Sequence, residues 1–367
     1  MRGSGDDERF MAAALSLGRR GQGRAAPNPA VGALVVKDGI VIGRGATAPG
    51  GRPHAERLAL AQAGRAARGA TLYVTLEPCS HHGATPPCCD AVAAAGIARL
   101  VYAVEDANPL VAGRGAGYCR ENGLQVVGGV CAEAARRDHR GHVLRMTVGR
   151  PMVTLKLAET ADGYVAGGQH DARLAITGIA ANGMVHALRA SHDAIMVGIN
   201  TVLADDPLMT VRLPGVEAKP LRVVLDSRML LPLASRLVRT ARDAPVLVLT
   251  AECDALVPHA GFENVEIAAV PCGPDGRLDL SAALGLLAGR GITRIFSEGG
   301  PTVAEALISA GLADEVMILT AIKPLGRPGV PTLAPAARAA LGDQGRYRLL
   351  AERAVGSDRL RHYERIG

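Results

Sequence analysis

One stretch of the chain, from His54 to Cys88, constrains its fold more than any other. His54 opens an Ala/Leu-rich run that is typical of a helix, and Cys79 follows an apolar run, residues 71–76, that predicts a buried parallel strand. Cys88 comes after eight further residues and begins a second predicted helix. This path would bring one histidine and two cysteines together. Zinc in a catalytic site takes three protein ligands of these types, so the stretch predicts an α/β domain around a zinc site.

Glu56 lies two residues after His54, close enough to serve a water on the metal without being a ligand. The order His-x-Glu, Pro-Cys and a second Cys is typical of zinc-dependent nucleobase deaminases. In that chemistry zinc activates a water, and a carboxylate moves its proton to the ring nitrogen and then to the departing amine. We therefore predict hydrolytic deamination, with His54, Cys79 and Cys88 as ligands of one Zn²⁺ per chain and Glu56 as the proton shuttle.

A purely structural zinc site is the alternative interpretation of this stretch. Such a site usually has four closed protein ligands, and His81, His82 or Cys89 could supply the fourth. The structural interpretation leaves Glu56 without a purpose, so the catalytic one is favoured. One of the two histidines is a candidate for binding substrate or ordering the loop, and both could equally lie in solvent. Cys89 is expected to be a small buried residue on the second helix.

The composition bounds the number of domains and the class of partner. The chain has 367 residues, 48% of them hydrophobic, which favours two domains with large cores. The net charge of +6 is compatible with nucleic-acid binding, but the arginines are scattered and form no dense block. With no Trp, three Phe and six Tyr, few side chains could stack on bases. We therefore expect a small-molecule substrate and no nucleic-acid partner.

The cysteine count and the hydropathy bear on location. Seven cysteines are an odd number, and their spacing does not suggest a secreted disulfide framework. No segment approaches the ~20 continuous apolar residues of a membrane span. The first residues are acidic and lack the apolar core of a signal peptide. We expect a soluble, cytoplasmic protein with no membrane partner.

Strands and helices alternate in both halves of the chain, which is typical of α/β domains with covered sheets. Asp6 and Asp7 are candidate caps of a first helix, and Lys37-Asp38-Gly39 predicts a hairpin turn. Asn28, between two prolines, is either a turn former or a side-chain amide that binds substrate. We place the domain boundary near Pro151, which gives predicted domains of residues 1–147 and 148–367.

The second half contains fewer explicit motifs. A predicted strand ends at Ser297, two glycines follow, and Pro301 opens a helix. The N–H groups at that helix start would face a phosphate, or the segment is a plain strand-to-helix turn. No G-x-G-x-x-G follows a strand, so an ordinary Rossmann site is not indicated. Asp205-Asp206-Pro207 is either a capped turn or a pair of acidic residues that takes part in the chemistry. Lys156 is a charged residue in an apolar strand, so its side chain is expected to point to a site or to the sheet edge.

Five segments of the first half form a characteristic set: Pro27-Asn28-Pro29-Ala30-Val31-Gly32, His54-Ala55-Glu56, the segment from Val74 to Cys89, Glu105-Asp106-Ala107-Asn108-Pro109 and Val111-Ala112-Gly113-Arg114-Gly115. In these segments the first half resembles the deaminase domain of the RibD family of bifunctional riboflavin biosynthesis proteins. The long loop between the two cysteines is itself a feature of that family. The resemblance implies a cytidine-deaminase-like α/β/α fold. It also implies a substrate, 2,5-diamino-6-ribosylamino-4(3H)-pyrimidinone 5′-phosphate.

The second half resembles the reductase domain of the same family. The matching segments are Leu155-Lys156-Leu157-Ala158, Asp162-Gly163, the segment from Asn200 to Arg212, Leu225-Asp226-Ser227 and Ser297-Glu298-Gly299-Gly300-Pro301. This resemblance implies a dihydrofolate-reductase-like α/β fold. It implies that NADPH reduces the ribosyl group to ribityl, giving 5-amino-6-ribitylaminouracil 5′-phosphate. A homo-oligomer assembled through this domain is also implied.

The resemblance further implies roles for individual residues. The cofactor would be held by Ala158, Thr201, Asp205, Ser227, Gly300, Pro301, Thr302, Val303, Ala304, Glu305 and Ala306. The substrate would be held by Asn28 in the first domain and by Arg189, Met209, Arg212 and Glu298 in the second. Arginines suit its phosphate because they offer a planar fork of donors.

One segment departs from the family pattern. Residues 171–177 lack the tryptophan and serine that the family usually has there, and Arg173 is the candidate replacement for the serine as a phosphate contact. Two alternative functions follow from these observations. The first is a deaminase whose second domain only binds ligand or assembles. The second is a deaminase of nucleic-acid bases.

Overall fold

The computed structural model describes residues 4–83, 85–109, 111–168, 171, 174–251 and 264–366. The chain divides into two compact units. Unit 1 comprises Met1–Pro151 with Ala288–Thr293, and unit 2 comprises Met152–Leu287 with Arg294–Gly367. Among the helices in these described ranges, none has the length and apolar character needed to cross a membrane.

Unit 1 begins with a helix and then alternates strands and helices. Its helices are α1 (Ser4–Arg19), α2 (Ala55–Ala63), α3 (Cys88–Ala94), α4 (Arg114–Glu121), α5 (Ala132–Asp138) and α6 (Arg140–Thr147). Its strands are β1 (Gly32–Lys37), β2 (Ile40–Ala46), β3 (Thr71–Val74), β4 (Arg99–Tyr102) and β5 (Gln125–Gly128). The two acidic residues proposed as caps lie inside the first turn of α1, where Asp7 accepts hydrogen bonds from Arg99 and Tyr73 instead.

The five strands form one sheet in the order β2-β1-β3-β4-β5. At the predicted hairpin turn, Asp38 and Gly39 both have positive φ, 51° and 79°. These dihedrals suit a tight turn between β1 and β2. The prediction of a parallel β3 is half correct: β3 runs parallel to β4 but antiparallel to β1. Local sequence could not specify this pairing, because both neighbours bury the same apolar run.

Side chains on alternate faces of this sheet form two separate cores. On one face, strand residues such as Val35, Leu72 and Leu100 pack with α2, α3 and α4. On the other face, Leu34 and Tyr73 pack with α1 and α5. Unit 1 is therefore a three-layer α/β/α domain, as the family resemblance implies.

Glycines on β2 allow α2 to lie unusually close to the sheet. A Cβ atom at Gly43 would collide with the carbonyl oxygen of Ala59, and one at Gly45 would collide with that of Ala55. Only glycine fits such a close approach of two backbones. Because Glu56 belongs to the first turn of α2, this packing sets the position of its carboxyl group.

Unit 2 contains the remaining strands and helices. Its strands are β6 (Met152–Glu159), β7 (Tyr164–Ala166), β8 (Ala194–Gly198), β9 (Leu221–Leu225), β10 (Val246–Ala251), β11 (Val265–Val270), β12 (Arg294–Ser297), β13 (Glu315–Thr320), β14 (Val330–Pro331), β15 (Tyr347–Val355) and β16 (Asp358–Arg365). Its helices are α7 (Ile179–Ala190), α8 (Ile199–Asp205), α9 (Arg236–Arg239), α10 (Leu280–Gly289), α11 (Pro301–Ser309) and α12 (Pro335–Gly342). The last two residues of α10, Ala288 and Gly289, are assigned to unit 1.

Nine of these strands form one sheet in the order β11-β10-β9-β8-β12-β6-β13-β16-β15. The first seven are parallel, and β16 and β15 close the sheet as the predicted antiparallel pair. Strand β6 lies between β12 and β13, so the expectation that Lys156 marks a sheet edge is wrong. Helix α8 extends through Asp205, and the turn predicted there begins at its C-cap, Asp206.

Candidate active sites

The three predicted metal ligands come from three different element ends in unit 1. His54 is the N-cap residue of α2, Cys79 follows β3, and Cys88 is the first residue of α3. The Nδ1 atom of His54 lies 3.3 Å from Sγ of Cys88 and 3.7 Å from Sγ of Cys79. The candidate ligand atoms of all three residues lie within 4.8 Å of one another. This group could therefore hold one metal ion.

The pKa values of the two cysteine thiols are shifted in opposite directions. Hydrogen bonds from the Cys88 thiol, the His54 ring and the Cys88 backbone N–H lower the pKa of Cys79 to about 4. The pKa of Cys88 is raised, because its thiol donates to the Cys79 sulfur and is buried. The negative sulfur of Cys79 in turn raises the pKa of His54. Two adjacent thiolates cannot both stay charged without a nearby cation, so the donor set has the chemistry of a cation site.

One imidazole and two thiolates are a ligand set that zinc accepts in catalytic sites. Cys89, one of the suggested fourth ligands, is instead buried in the hydrophobic core of unit 1, as predicted. In the described part of the chain, His81 and His82 do not join the three-residue group. A three-ligand site leaves a coordination position for water or substrate, which is the open arrangement that catalysis requires.

Glu56 lies in the first turn of α2 and is only 4% exposed. Burial raises the pKa of its carboxyl group to about 7. A carboxyl group of that pKa can both accept and donate a proton near neutral pH. At the other nitrogen of the His54 ring, the Asn28 side-chain nitrogen lies 3.3 Å from Nε2, and it donates to the carbonyl oxygen of Gly51.

Two arginines donate hydrogen bonds to the segment of residues 77–87, here called the metal loop. Arg52 donates to the hydroxyl oxygen of Thr85 over 2.6 Å, and Arg57 donates to the carbonyl oxygen of Pro86 over 2.8 Å. Within the same loop, Oγ of Ser80 and Nδ1 of His81 are buried without a hydrogen-bond partner. Buried polar atoms are normally paired, so these two are candidate contacts for a polar substrate beside the metal.

In unit 2, four of the predicted cofactor residues lie at or just after the carboxyl ends of four neighbouring parallel strands. Ala158 is near the end of β6, Thr201 follows β8, Ser227 follows β9 and Gly300 follows β12. Because the carboxyl ends of parallel strands meet at one edge of a sheet, these residues share that edge, where ligands bind in open α/β sheets. The Gly300 N–H donates to the Thr201 hydroxyl over 3.2 Å, which joins two of the four directly.

Helix α11 begins at this edge with Gly300 as its N-cap and Pro301 as its first residue. The N–H groups of Thr302 and Val303 lie in the first turn, where helix N–H groups have no partner within the helix and suit a phosphate. At the same strand ends, Oγ of Ser297 and one carboxylate oxygen of Asp226 are buried without a partner. These free donors and acceptors fit a large polar cofactor such as NADPH.

Four other predicted cofactor residues are Asp205 in α8 and Ala304, Glu305 and Ala306 in α11. Within α11, Ala304 is fully buried and Ala306 lies one turn beyond the helix start. The Glu305 carboxylate accepts a hydrogen bond from the N–H of Ala334 over 2.9 Å. Asp205 is the last residue of α8. Because Ala304 is buried and the Glu305 carboxylate is already hydrogen-bonded, the backbone at the start of α11 is the part of this helix that suits a cofactor.

Three of the predicted substrate residues of unit 2, Arg189, Arg212 and Glu298, lie near Arg236 and form with it a group of net positive charge, here called the cationic group. Arg189 makes a two-pronged ion pair with Glu298, with N–O distances of 2.6 and 3.0 Å. The backbone N–H of Arg212 donates a hydrogen bond to Nδ1 of His186 over 3.2 Å. Burial and the guanidinium groups of Arg189 and Arg236 lower the pKa of Arg212, which places three arginines near one another. Such a group attracts an anion like the substrate's phosphate.

Met209, another predicted substrate residue, is buried in the core of unit 2. Met209 is 2% exposed and its side chain packs in the core with Val224, so only its backbone could reach a ligand. Arg173 lies outside the described residues. Arg236 belongs to the cationic group and His186 accepts a hydrogen bond from the Arg212 backbone, but neither residue is predicted from the sequence. No motif singles them out, and only the proximity of α7 and α9 to Arg212 reveals them.

Comparison with known proteins identifies both halves. Residues 4–104 match the family model described as the cytidine and deoxycytidylate deaminase zinc-binding region, and residues 151–344 match that of the RibD C-terminal domain. The RibD riboflavin biosynthesis protein of Escherichia coli strain K12 is 39% identical over 366 residues, covering 96% of this chain and 97% of that protein. The chain belongs to the RibD family. The RibD protein of Aquifex aeolicus is 38% identical over 87% of this chain and 88% of its own.

Solved RibD structures have the same fold over the whole chain. Form 1 of Acinetobacter baumannii RibD has a TM-score of 0.86 at 33% identity and covers 100% of both chains. A Thermotoga maritima protein described as a diaminohydroxyphosphoribosylaminopyrimidine deaminase/5-amino-6-(5-phosphoribosylamino)uracil reductase has a TM-score of 0.86 at 33% identity and covers 99% of both chains. The predicted combination of a deaminase-like and a reductase domain is thereby confirmed.

Membership of the RibD family defines the chemistry of the chain in outline. It is a bifunctional deaminase and reductase of riboflavin biosynthesis, with a zinc-binding deaminase domain and a reductase domain both present. The zinc-binding region implies Zn²⁺ and the RibD reductase domain implies NADPH. This family assignment favours a metabolic function over deamination of nucleic-acid bases.

Proposed function

We propose that residues 1–147 deaminate 2,5-diamino-6-ribosylamino-4(3H)-pyrimidinone 5′-phosphate and that residues 148–367 reduce the product. The observation that carries the proposal is the group of His54, Cys79 and Cys88, whose ligand atoms lie within 4.8 Å of one another, beside the buried carboxyl group of Glu56. The name of the Thermotoga relative, a deaminase and reductase of such pyrimidines, supports this substrate class.

The deamination replaces the amino group on C2 of the ring with oxygen and releases ammonia. A zinc ion at the three donors would supply a water that is nucleophilic near neutral pH. Glu56 takes a proton from that water, whose oxygen forms a bond to C2, and delivers the proton to the neighbouring ring nitrogen. It then transfers the second proton to the amino group, so that the C2–N bond breaks and ammonia leaves. The Asn28 amide, next to His54, and the unpartnered Ser80 hydroxyl are proposed to orient the pyrimidine.

The reduction acts on the ribosyl carbon attached to the amine. NADPH bound at the strand ends of unit 2 would supply a hydride. In the ring-opened imine, C1′ receives the hydride and the imine nitrogen receives a proton, which gives the ribityl amine. Ala158, Thr201, Ser227 and the start of α11 align the cofactor, and Arg189 and Arg212 hold the substrate's phosphate. Glu298 fixes the Arg189 guanidinium through its two-pronged ion pair.

Assembly and location complete the proposal. We propose a homo-oligomer that forms through unit 2, where Ile322 and Val330 are large apolar side chains, 71% and 41% exposed, that a second copy could cover. We also propose a cytoplasmic location. The two thiolate ligands work only when reduced, and the six described cysteines are all free. Light scattering at several protein concentrations tests the assembly.

The substrate class is tested by comparing ammonia release from the free pyrimidine ribonucleotide with release from cytosine- or adenine-containing oligonucleotides. We expect turnover of the free nucleotide alone. Deamination of oligonucleotides without turnover of the free nucleotide would overturn the proposal.

A further inference from the structure

Glu77, the first residue of the metal loop, has no part in the proposed mechanism, although its carboxylate is buried next to the site. It is 3% exposed and comes two residues before Cys79. The carboxylate accepts three backbone hydrogen bonds. The Ala116 N–H donates over 2.8 Å to Oε1, and those of Gly113 and Asp106 donate over 2.9 and 3.3 Å to Oε2. Such complete use of a buried carboxylate indicates a specific structural task.

The three donors belong to two segments that are distant in sequence from the metal loop. Gly113 is the N-cap residue of α4 and Ala116 lies in its first turn, where helix N–H groups lack partners and favour a negative charge. Asp106 starts the segment that leads to α4, and its own carboxylate accepts from His142 over 2.7 Å. One carboxylate therefore ties the metal loop both to α4 and to the segment after β4.

A close backbone contact between α4 and the metal loop lies directly beside Cys79. A Cβ atom at Gly115 would collide with the carbonyl oxygen of Pro78, the residue between Glu77 and Cys79. The N–H of Glu77 itself donates to the carbonyl oxygen of Val104 over 2.9 Å. The close approach of α4 to Pro78 and the three hydrogen bonds of Glu77 therefore both hold the backbone immediately before Cys79.

From this geometry we infer that Glu77 is a positioning residue for deamination, which holds Cys79 at the distance from His54 and Cys88 that metal binding needs. The inference deepens the proposed function and rests on it. A carboxylate is the only side chain of this length whose two oxygens both accept hydrogen bonds. The amide of a glutamine would turn an N–H₂ group toward at least one of the three N–H donors, and the loop would have to move.

The test compares Glu77→Gln with the wild-type full chain loaded with zinc. The rate of zinc release to a colorimetric chelator is expected to rise about tenfold or more, as for other groups that support metal ligands. The deaminase kcat should fall while KM changes by less than about twofold, because the substrate contacts remain. Glu121→Gln removes an exposed carboxylate from α4 and should leave both quantities unchanged. Reduction of separately supplied deaminated substrate should also stay unchanged.

Wild-type rates of zinc release and of deamination in Glu77→Gln would overturn the inference. Should that variant fail to fold, Gly115→Ala decides, because it pushes α4 away from Pro78 and leaves the carboxylate intact. Faster zinc release from it supports the inference, and wild-type release contradicts it. Failure of the wild-type chain itself to bind zinc or deaminate would instead sink the proposed function.

Discussion

The backbone N–H of Cys88 donates a hydrogen bond to Sγ of Cys79 over 3.3 Å. Cys88 is the first residue of α3, so this N–H is one of the donors that a helix start leaves unpaired. Helix α3 therefore supplies one candidate metal ligand, Cys88, and stabilises the negative charge of a second, Cys79. A thiolate in such surroundings forms at lower pH than a free cysteine does.

Replacing Cys88 with serine tests the ligand set. We expect Cys88→Ser to lose bound zinc and all deamination, because a serine hydroxyl is a far poorer zinc ligand than a thiolate. Its neighbour Cys89 is buried in the core of unit 1, so Cys89→Ala serves as the matched control and should keep one zinc per chain. Metal analysis of both purified variants checks this. A full zinc content in Cys88→Ser would refute the assignment.

Replacing Glu56 with glutamine separates proton transfer from metal binding. The amide has nearly the same shape but cannot carry a proton between water and amine. We expect zinc to stay bound and the deaminase kcat to fall by roughly 10²- to 10⁴-fold, the usual contribution of a general acid–base group. Steady-state ammonia release and metal analysis on the same sample give both quantities. Retained turnover would rule out the shuttle role.

Replacing Arg212 with alanine tests the cationic group of unit 2. Loss of one charge-assisted hydrogen bond to a phosphate costs ~1.5 kcal/mol, so KM of the reductase step should rise roughly tenfold. The same substrate without its phosphate should show almost no change between variant and wild type. Arg239→Ala removes an exposed arginine of α9 as a control. An equal effect of Arg212→Ala on both substrates would contradict a phosphate contact.

His192 makes the stability of unit 2 depend on pH. The ring is 2% exposed, its Nδ1 lies 2.7 Å from the Leu188 carbonyl oxygen and its Nε2 lies 3.1 Å from the Thr154 hydroxyl. The carbonyl can only accept, so Nδ1 carries the proton of a neutral ring. Burial lowers the pKa of His192 to about 3.

The direction of the pH effect follows from this lowered pKa. Above the ordinary histidine pKa of ~6.5, neither the folded nor the unfolded chain protonates this ring. As the pH falls toward about 3, only the unfolded chain takes up the proton. The free energy of unfolding therefore decreases by up to ~1.4 kcal/mol per pH unit. Urea unfolding at pH 7 and pH 5.5 should show this loss in the wild type and a smaller one in His192→Gln. The same pH dependence in both proteins would disprove it.

Much of the fold follows from local sequence patterns. Apolar runs such as residues 71–76, the Asp38-Gly39 turn and the helix after Gly300 all lie where the sequence predicts them. Strand order does not follow, because β3 has one antiparallel and one parallel neighbour. Helix α8 is not predicted either. The sequence indicates only the turn at Asp205-Asp206-Pro207, which lies at the end of this helix. Pairing and helix length at such places depend on contacts with distant segments.

The candidate sites divide in the same way. His54, Glu56, Cys79 and Cys88 are recognisable because the residue types themselves carry the chemistry and the spacing is characteristic. The task of Glu77 is invisible in sequence, because its three partners are backbone groups whose identity no side chain reveals. In the cationic group of unit 2, Arg189 and Arg212 follow from the family resemblance, whereas Arg236 is found only through its position near Arg212 in the fold.

The central claim is that one chain deaminates a pyrimidine ribonucleotide and then reduces the product. The most direct measurement follows ammonia release by the zinc-loaded chain without NADPH, and then the loss of NADPH absorbance after the cofactor is added. We predict that ammonia appears first, without cofactor, and that one NADPH is then oxidised for each ammonia released. NADPH oxidation before any ammonia has formed, or no oxidation after complete deamination, would contradict the account.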